Sequence, residues 1–104
     1  MNWITVNELL LIHARVIAET GGKDGVINVG VLESAVKRPF TRYGDHELFP
    51  TLLEKVAAMT HSIIAFHPFE DGNKRTGLVS ADVVLRFHGL RIIPSKDVED
   101  YFWS

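Results

Sequence analysis

Residues 50–89, PTLLEKVAAMTHSIIAFHPFEDGNKRTGLVSADVVLRFHG, carry the pattern from which the fold is read. Leu52, Leu53, Val56, Ala57, Thr60, Ile63 and Ile64 recur at three- and four-residue steps, the period of one buried helix face. Pro50 is placed to open this helix, where its missing amide costs no bond, and Pro68 stops it just after Phe66. Beyond the break, Leu78, Ala81, Leu85 and the neighbouring valines mark a second helix from about Asn73 to His88, with Gly89 as its C-terminal stop. The stretch therefore predicts two long helices joined by a short polar loop.

Upstream, Thr5-Val6-Asn7-Glu8 has capping-box spacing, and Leu9, Ile12, His13, Val16 and Ile17 form an inward face that ends at Gly21-Gly22. His13 on that face reads as a packed histidine with a hydrogen-bond partner. A shorter helix is expected over Val29 to Lys37, with Val31, Leu32, Ala35 and Val36 inward and Pro39 blocking its continuation. Arg38 to Leu48 is a connection bearing Arg38, Arg42, Tyr43, Asp45 and His46, either a solvated loop or a flap that docks a partner or substrate. Downstream, Leu90 to Ile93 reads as a brief extended piece, and a last helical turn or two from Ser95 carries Val98, Tyr101, Phe102 and Trp103. Three aromatics there point to an oligomer contact or to a further covering element. No sheet-forming pattern of any length is present, so the expected class is all-α, in a single domain over residues 1–104.

Composition narrows the function. The chain has 104 residues, 46% hydrophobic and 23% charged, which is ordinary for one globular domain. A net charge of -2 argues against binding nucleic acid directly through bulk charge. With no cysteine there is no disulfide framework and no thiolate metal site, which suits a reducing cytoplasm. Neither a signal peptide nor a membrane span of about 20 apolar residues is recognisable.

Chemistry concentrates in His67-Pro68-Phe69-Glu70-Asp71-Gly72-Asn73-Lys74-Arg75-Thr76. His67 follows a helix end and has the side chain for a general base near neutral pH. Phe69 is expected to turn inward and anchor the loop. Asp71 is a hard oxygen donor suited to Mg²⁺ shared with phosphate oxygens. Gly72 lets the backbone approach a ligand, and the amides of Asn73, Lys74 and Arg75 open a helix whose positive end favours phosphate. Lys74 and Arg75 add full positive charge. Together these groups describe phosphoryl or nucleotidyl transfer. The structural alternative is that Asp71 or Asn73 merely caps the following helix. A P-loop is absent, and His61 and His67 lack the spacing of a zinc-protease helix.

The segment resembles the signature of the Fic superfamily, His-Pro-Phe-x-Asp/Glu-Gly-Asn-Gly-Arg-x-x-Arg, and is most similar to its death-on-curing (Doc) toxin branch, which favours Asn-Lys-Arg-Thr. The resemblance extends along the chain through Leu32-Glu33-Ser34-Ala35, Arg38-Pro39, Phe49-Pro50-Thr51-Leu52, Glu54-Lys55 and Leu85-Arg86-Phe87-His88-Gly89, whereas the final helix expected of the family is not seen. It implies an all-helical Fic/Doc fold with the active-site loop between two central helices, ATP and Mg²⁺ at that loop, and a protein hydroxyl as acceptor.

By the same resemblance, His67 matches the catalytic base, Phe69 the core anchor and Asp71 the magnesium ligand. Gly72, Asn73 and Lys74 match the anion-holding turn, and Arg75 matches the phosphate-contacting arginine. Lys74 replaces the glycine of adenylylating members and Leu78 replaces their second arginine. These departures resemble the toxin branch, which turns ATP around and transfers its terminal phosphate to elongation factor Tu, stopping translation. The branch is held in check by an antitoxin whose C-terminal segment folds into a groove on the toxin. The implied function is thus a toxin phosphotransferase, in which Lys74 and Arg75 assist His67. The alternatives are a nucleotidyltransferase and a catalytically weak binding module.

Overall fold

The computed structural model describes residues 1–93, which contain four α-helices, one short 3-10 turn and one two-stranded hairpin. Helix α1 spans Val6–Thr20, α2 Val29–Lys37, α3 Leu52–Phe66 and α4 Asn73–Phe87. The hairpin pairs β1, Arg42–Tyr43, with β2, His46–Glu47, antiparallel. The mostly helical class agrees with the all-α expectation, and the connection after α2 is more ordered than its sequence suggests. It begins as a 3-10 turn over Arg38–Phe40 and continues into the hairpin. The expected final helix and the C-terminal aromatics lie outside the described residues.

Local chemistry sets the helix ends. At α1 the Thr5 hydroxyl accepts from the Glu8 amide at 3.1 Å while Glu8 Oε1 accepts from the Thr5 amide at 3.0 Å, a reciprocal pair that satisfies two otherwise orphaned donors. The start of α3 differs from the expectation at Pro50. Thr51 is the cap, its hydroxyl accepting from the Glu54 amide at 3.1 Å, so regular helix begins at Leu52. Asn28 caps α2 in the same way, through the Val31 amide. Past α4, Leu90 to Ile93 joins no strand; the Ile92 amide donates to Asp82 instead.

Helix α3 is the central element, packed against α4 on one side and against α2 and the 3-10 turn on another, while α1 lies across α4. The core joins Leu9 of α1, Leu32 and Ala35 of α2, Met59 and Ile63 of α3, and Val84 of α4. Because α3 is covered from two sides, its buried set is broader and differently phased than expected. Leu53 and Ala57 face solvent, whereas Lys55, Ala58, Met59 and Ser62 are buried. Lys55 is tolerated inside because its ammonium donates to the Phe49 carbonyl and to Glu47 at 3.4 Å. Helices α3 and α4 come close at Gly77, where an added Cβ would stand 3.0 Å from Ile64 of α3. This contact brings the end of α3 beside the start of α4, so residues 67–72 must turn sharply between them.

Candidate active site

The turn begins with an unfavourable backbone. His67 caps the C-terminus of α3 in the left-handed region, with φ 47° and ψ 64°, the one non-glycine residue among those described to do so. A side chain there costs about 1–2 kcal/mol, which surrounding structure must offset. It does so by tying the next residues from both sides. On the outer side the Pro68 carbonyl accepts from the Ile27 amide at 2.7 Å and the Glu70 amide donates to the Gly25 carbonyl at 3.0 Å, with a bridge between Val26 and Phe69. On the inner side Asn73 Oδ1 accepts from the Phe69 amide at 3.0 Å, and Asn73 Nδ2 donates to the Phe69 carbonyl at 2.9 Å. Phe69 itself is fully buried.

These bonds assign Asn73 a role the sequence did not: its amide closes the turn and lies in long contact, 3.5 Å, with His67 Nδ1. Neither Asp71 nor Asn73 caps α4. Gly72 holds that position with φ 76°, and no side chain caps the helix. An added Cβ at Gly72 would also press on Ile17 of α1 at 3.1 Å. The Asp71 carboxylate turns toward the segment that follows α1, where Oδ2 accepts from the Lys23 amide at 2.8 Å.

An open cavity of about 450 Å³ lies over the loop, and His67, Asp71, Gly72, Lys74 and Arg75 all line it. The opposite wall is Thr20, Gly21 and Gly22, which the sequence marks only as a helix end. Their part in the site follows from tertiary contacts. The Thr20 hydroxyl lies 3.1 Å from Arg75 Nη1, and a side chain at Gly22 would meet Asp71 Cβ at 3.1 Å. The glycine pair was the available signal, since two glycines exceed what a helix stop requires. A helix N-terminus without a capping side chain, glycine walls and two cations suit a phosphate chain. Among the described residues no group of three acidic or histidine side chains could hold a metal. Glu70 and Asp71 both line the cavity, and the Asp71 carboxylate fits Mg²⁺, which takes one or two protein carboxylates together with substrate phosphates and water.

The family model for the Fic/DOC family matches residues 3–85, which take in α1, α2, α3, the loop and α4 up to Leu85. The chain belongs to the Fic/Doc family. Two curated relatives carry the Doc name. Toxin Doc of Mycolicibacterium smegmatis is 34% identical over 79 residues, covering 76% of this chain and 61% of the relative. Protein kinase doc of Escherichia phage P1 is 32% identical over 100 residues, covering 96% of this chain and 79% of the relative. The chain thus spans about three-fifths of the length of the first and about four-fifths of the second. Both names place this Fic/Doc chain with the Doc branch. No described helix is long and apolar enough to cross a membrane.

Proposed function

We propose that the chain is the toxin of a toxin–antitoxin pair and that it transfers the terminal phosphoryl group of ATP to a threonine or serine hydroxyl of a translation factor similar to elongation factor Tu. The observation that carries this reading is the cavity in which His67, Asp71 and Arg75 meet an uncapped α4 N-terminus. The relative named a protein kinase, alike over nearly the whole of this chain, supports the direction of transfer.

In this reading the His67 ring takes the proton of the acceptor hydroxyl as the oxygen attacks the terminal phosphorus. The new bond is oxygen to terminal phosphorus; the bond broken joins that phosphorus to the bridging oxygen, and ADP leaves. The amides at the start of α4 and the side chains of Lys74 and Arg75 stabilise charge on the transferred group, and Gly72 leaves room for it. Mg²⁺, when bound, would neutralise charge on the phosphate oxygens, and Asp71 is the residue to hold it. Lys74 is exposed beside the cavity at the position where adenylylating members have glycine, and Leu78 offers no second guanidinium clamp. Both features favour the reversed nucleotide and hence transfer of the terminal phosphate. The antitoxin would be a small protein partner, and a translation-factor acceptor puts the action in the cytoplasm.

The test is to incubate the protein and its His67→Ala variant with bacterial lysate and ATP labelled on either the terminal or the innermost phosphate. Transfer of the terminal label alone, lost in the variant, is the expected result. Transfer of the innermost label makes the protein a nucleotidyltransferase. Absence of any transfer, with toxicity on expression unaffected by His67→Ala, makes it a binding module.

A further inference from the structure

We propose that His13 is a positioning residue of this site, setting the main chain of Asp71, an inference that rests on the phosphotransfer reading. His13 lies in the middle of α1, 2% exposed, and takes no part in the mechanism above. Its ring lies flat on Phe69, with centroids 3.7 Å apart and planes 4° from parallel. Its Nε2 is 2.8 Å from the Asp71 carbonyl oxygen. A carbonyl only accepts, so Nε2 carries the hydrogen and donates it. The other ring nitrogen, Nδ1, faces Asp24 Oδ1 at 3.6 Å.

A buried imidazole is a costly way to fill an apolar slot. A phenylalanine or methionine would pack against Phe69 without desolvating two ring nitrogens. What the imidazole adds is one directional bond, and that bond ends on the residue whose carboxylate faces the cavity. Asp71 is consequently gripped twice from the α1 side, at its carbonyl by His13 and at Oδ2 by the Lys23 amide. The His13 ring also backs Gly72, where an added Cβ would come within 3.9 Å of Cδ2. The peptide on which the carboxylate is mounted is thus referenced to α1 and not only to the helices that flank the loop. Second contacts of this type commonly change metal affinity or activity by about 10–100-fold when removed.

Packing and positioning make opposite forecasts for two substitutions. His13→Phe keeps the stacked ring and removes the donor, whereas His13→Gln keeps a donor of similar reach and removes the ring. Positioning predicts that His13→Phe retains cooperative thermal unfolding, exchanges its amides in residues 69–73 about tenfold faster without nucleotide, and needs about tenfold more Mg²⁺ for half-maximal transfer from ATP. Its KM for the acceptor stays unchanged, and His13→Gln stays close to wild type in all four readouts. Should His13→Phe not fold, His13→Met takes its place, being nearly isosteric with Gln and lacking the donor. A donor-free variant that matches wild type, or a Gln variant that loses as much as it does, overturns the proposal. A wild-type protein that transfers no phosphate overturns the phosphotransfer reading instead, and the exchange of residues 69–73 then still decides whether His13 sets the loop.

Discussion

Asn73 holds Phe69 by both main-chain groups, accepting from its amide at 3.0 Å and donating to its carbonyl at 2.9 Å. A side chain at the start of α4 thereby closes the loop that leads into its own helix. Both Phe69 groups are away from water, so truncation leaves a donor and an acceptor unpaired. Asn73→Ala is expected to lower unfolding free energy by about 2 kcal/mol. It should also abolish transfer under conditions where the variant is still folded. Urea unfolding followed by circular dichroism checks the first value, and a loss under about 0.5 kcal/mol would mean that water replaces both bonds.

The left-handed backbone at His67 gives a prediction in which stability and activity part. His67→Ala and His67→Gly both remove the imidazole, but only glycine escapes the steric cost at φ 47°. The glycine variant should be more stable than the alanine variant by about 1 kcal/mol, with neither active. Thermal unfolding of the pair measures the strain independently of any assay. Equal midpoints would show that the loop relaxes.

Thr20 connects α1 to the proposed phosphate-binding arginine. Its hydroxyl accepts from Arg75 Nη1 at 3.1 Å and donates to the Val16 carbonyl at 2.6 Å. Thr20→Val, which keeps the shape, should reduce kcat about tenfold, corresponding to about 1.4 kcal/mol. Thr20→Ser should retain most of the activity. In an Arg75→Ala background the Thr20 change should have no further effect, because its target is gone. Additive losses would place Thr20 outside the arginine's function.

Lys55 ties the hairpin to the bundle. Its buried ammonium donates to the Phe49 carbonyl and to Glu47, and it lies 5.5 Å from the centre of the Phe40 ring. Removing the ammonium leaves the Phe49 carbonyl without its donor, while Glu47 keeps its ion pair with Arg42, so Lys55→Met should cost about 1–3 kcal/mol with the bundle still folded. Residues 42–47 should nevertheless loosen, and limited trypsin digestion should cut after Arg42 faster than in wild type. Unchanged cleavage would show that the 3-10 turn alone carries the hairpin.

The helices were legible in the sequence because each is specified locally. Thr5 and Glu8 announce α1 through a capping box that needs no partner elsewhere, and Pro68 and Gly89 stop α3 and α4 through their own backbone restrictions. The cluster from His67 to Arg75 was equally plain, since base, carboxylate, glycine and cations fall within ten consecutive positions. The phase of α3 was not plain, because periodicity identifies one apolar face and this helix is covered on two sides. Lys55 could be placed inside only once the Phe49 carbonyl and Glu47 were near its ammonium. The division of labour in the site was likewise tertiary. His13 read as part of a buried helix face, Thr20 had no assigned part, and Gly22 read as a stop, until the chain brought them against Asp71 and Arg75 from positions about fifty residues earlier. Short-range spacing encodes hydrogen bonds three or four residues apart; the contacts that orient Asp71 and Arg75 are made between elements, and only their packing decides which side chains meet.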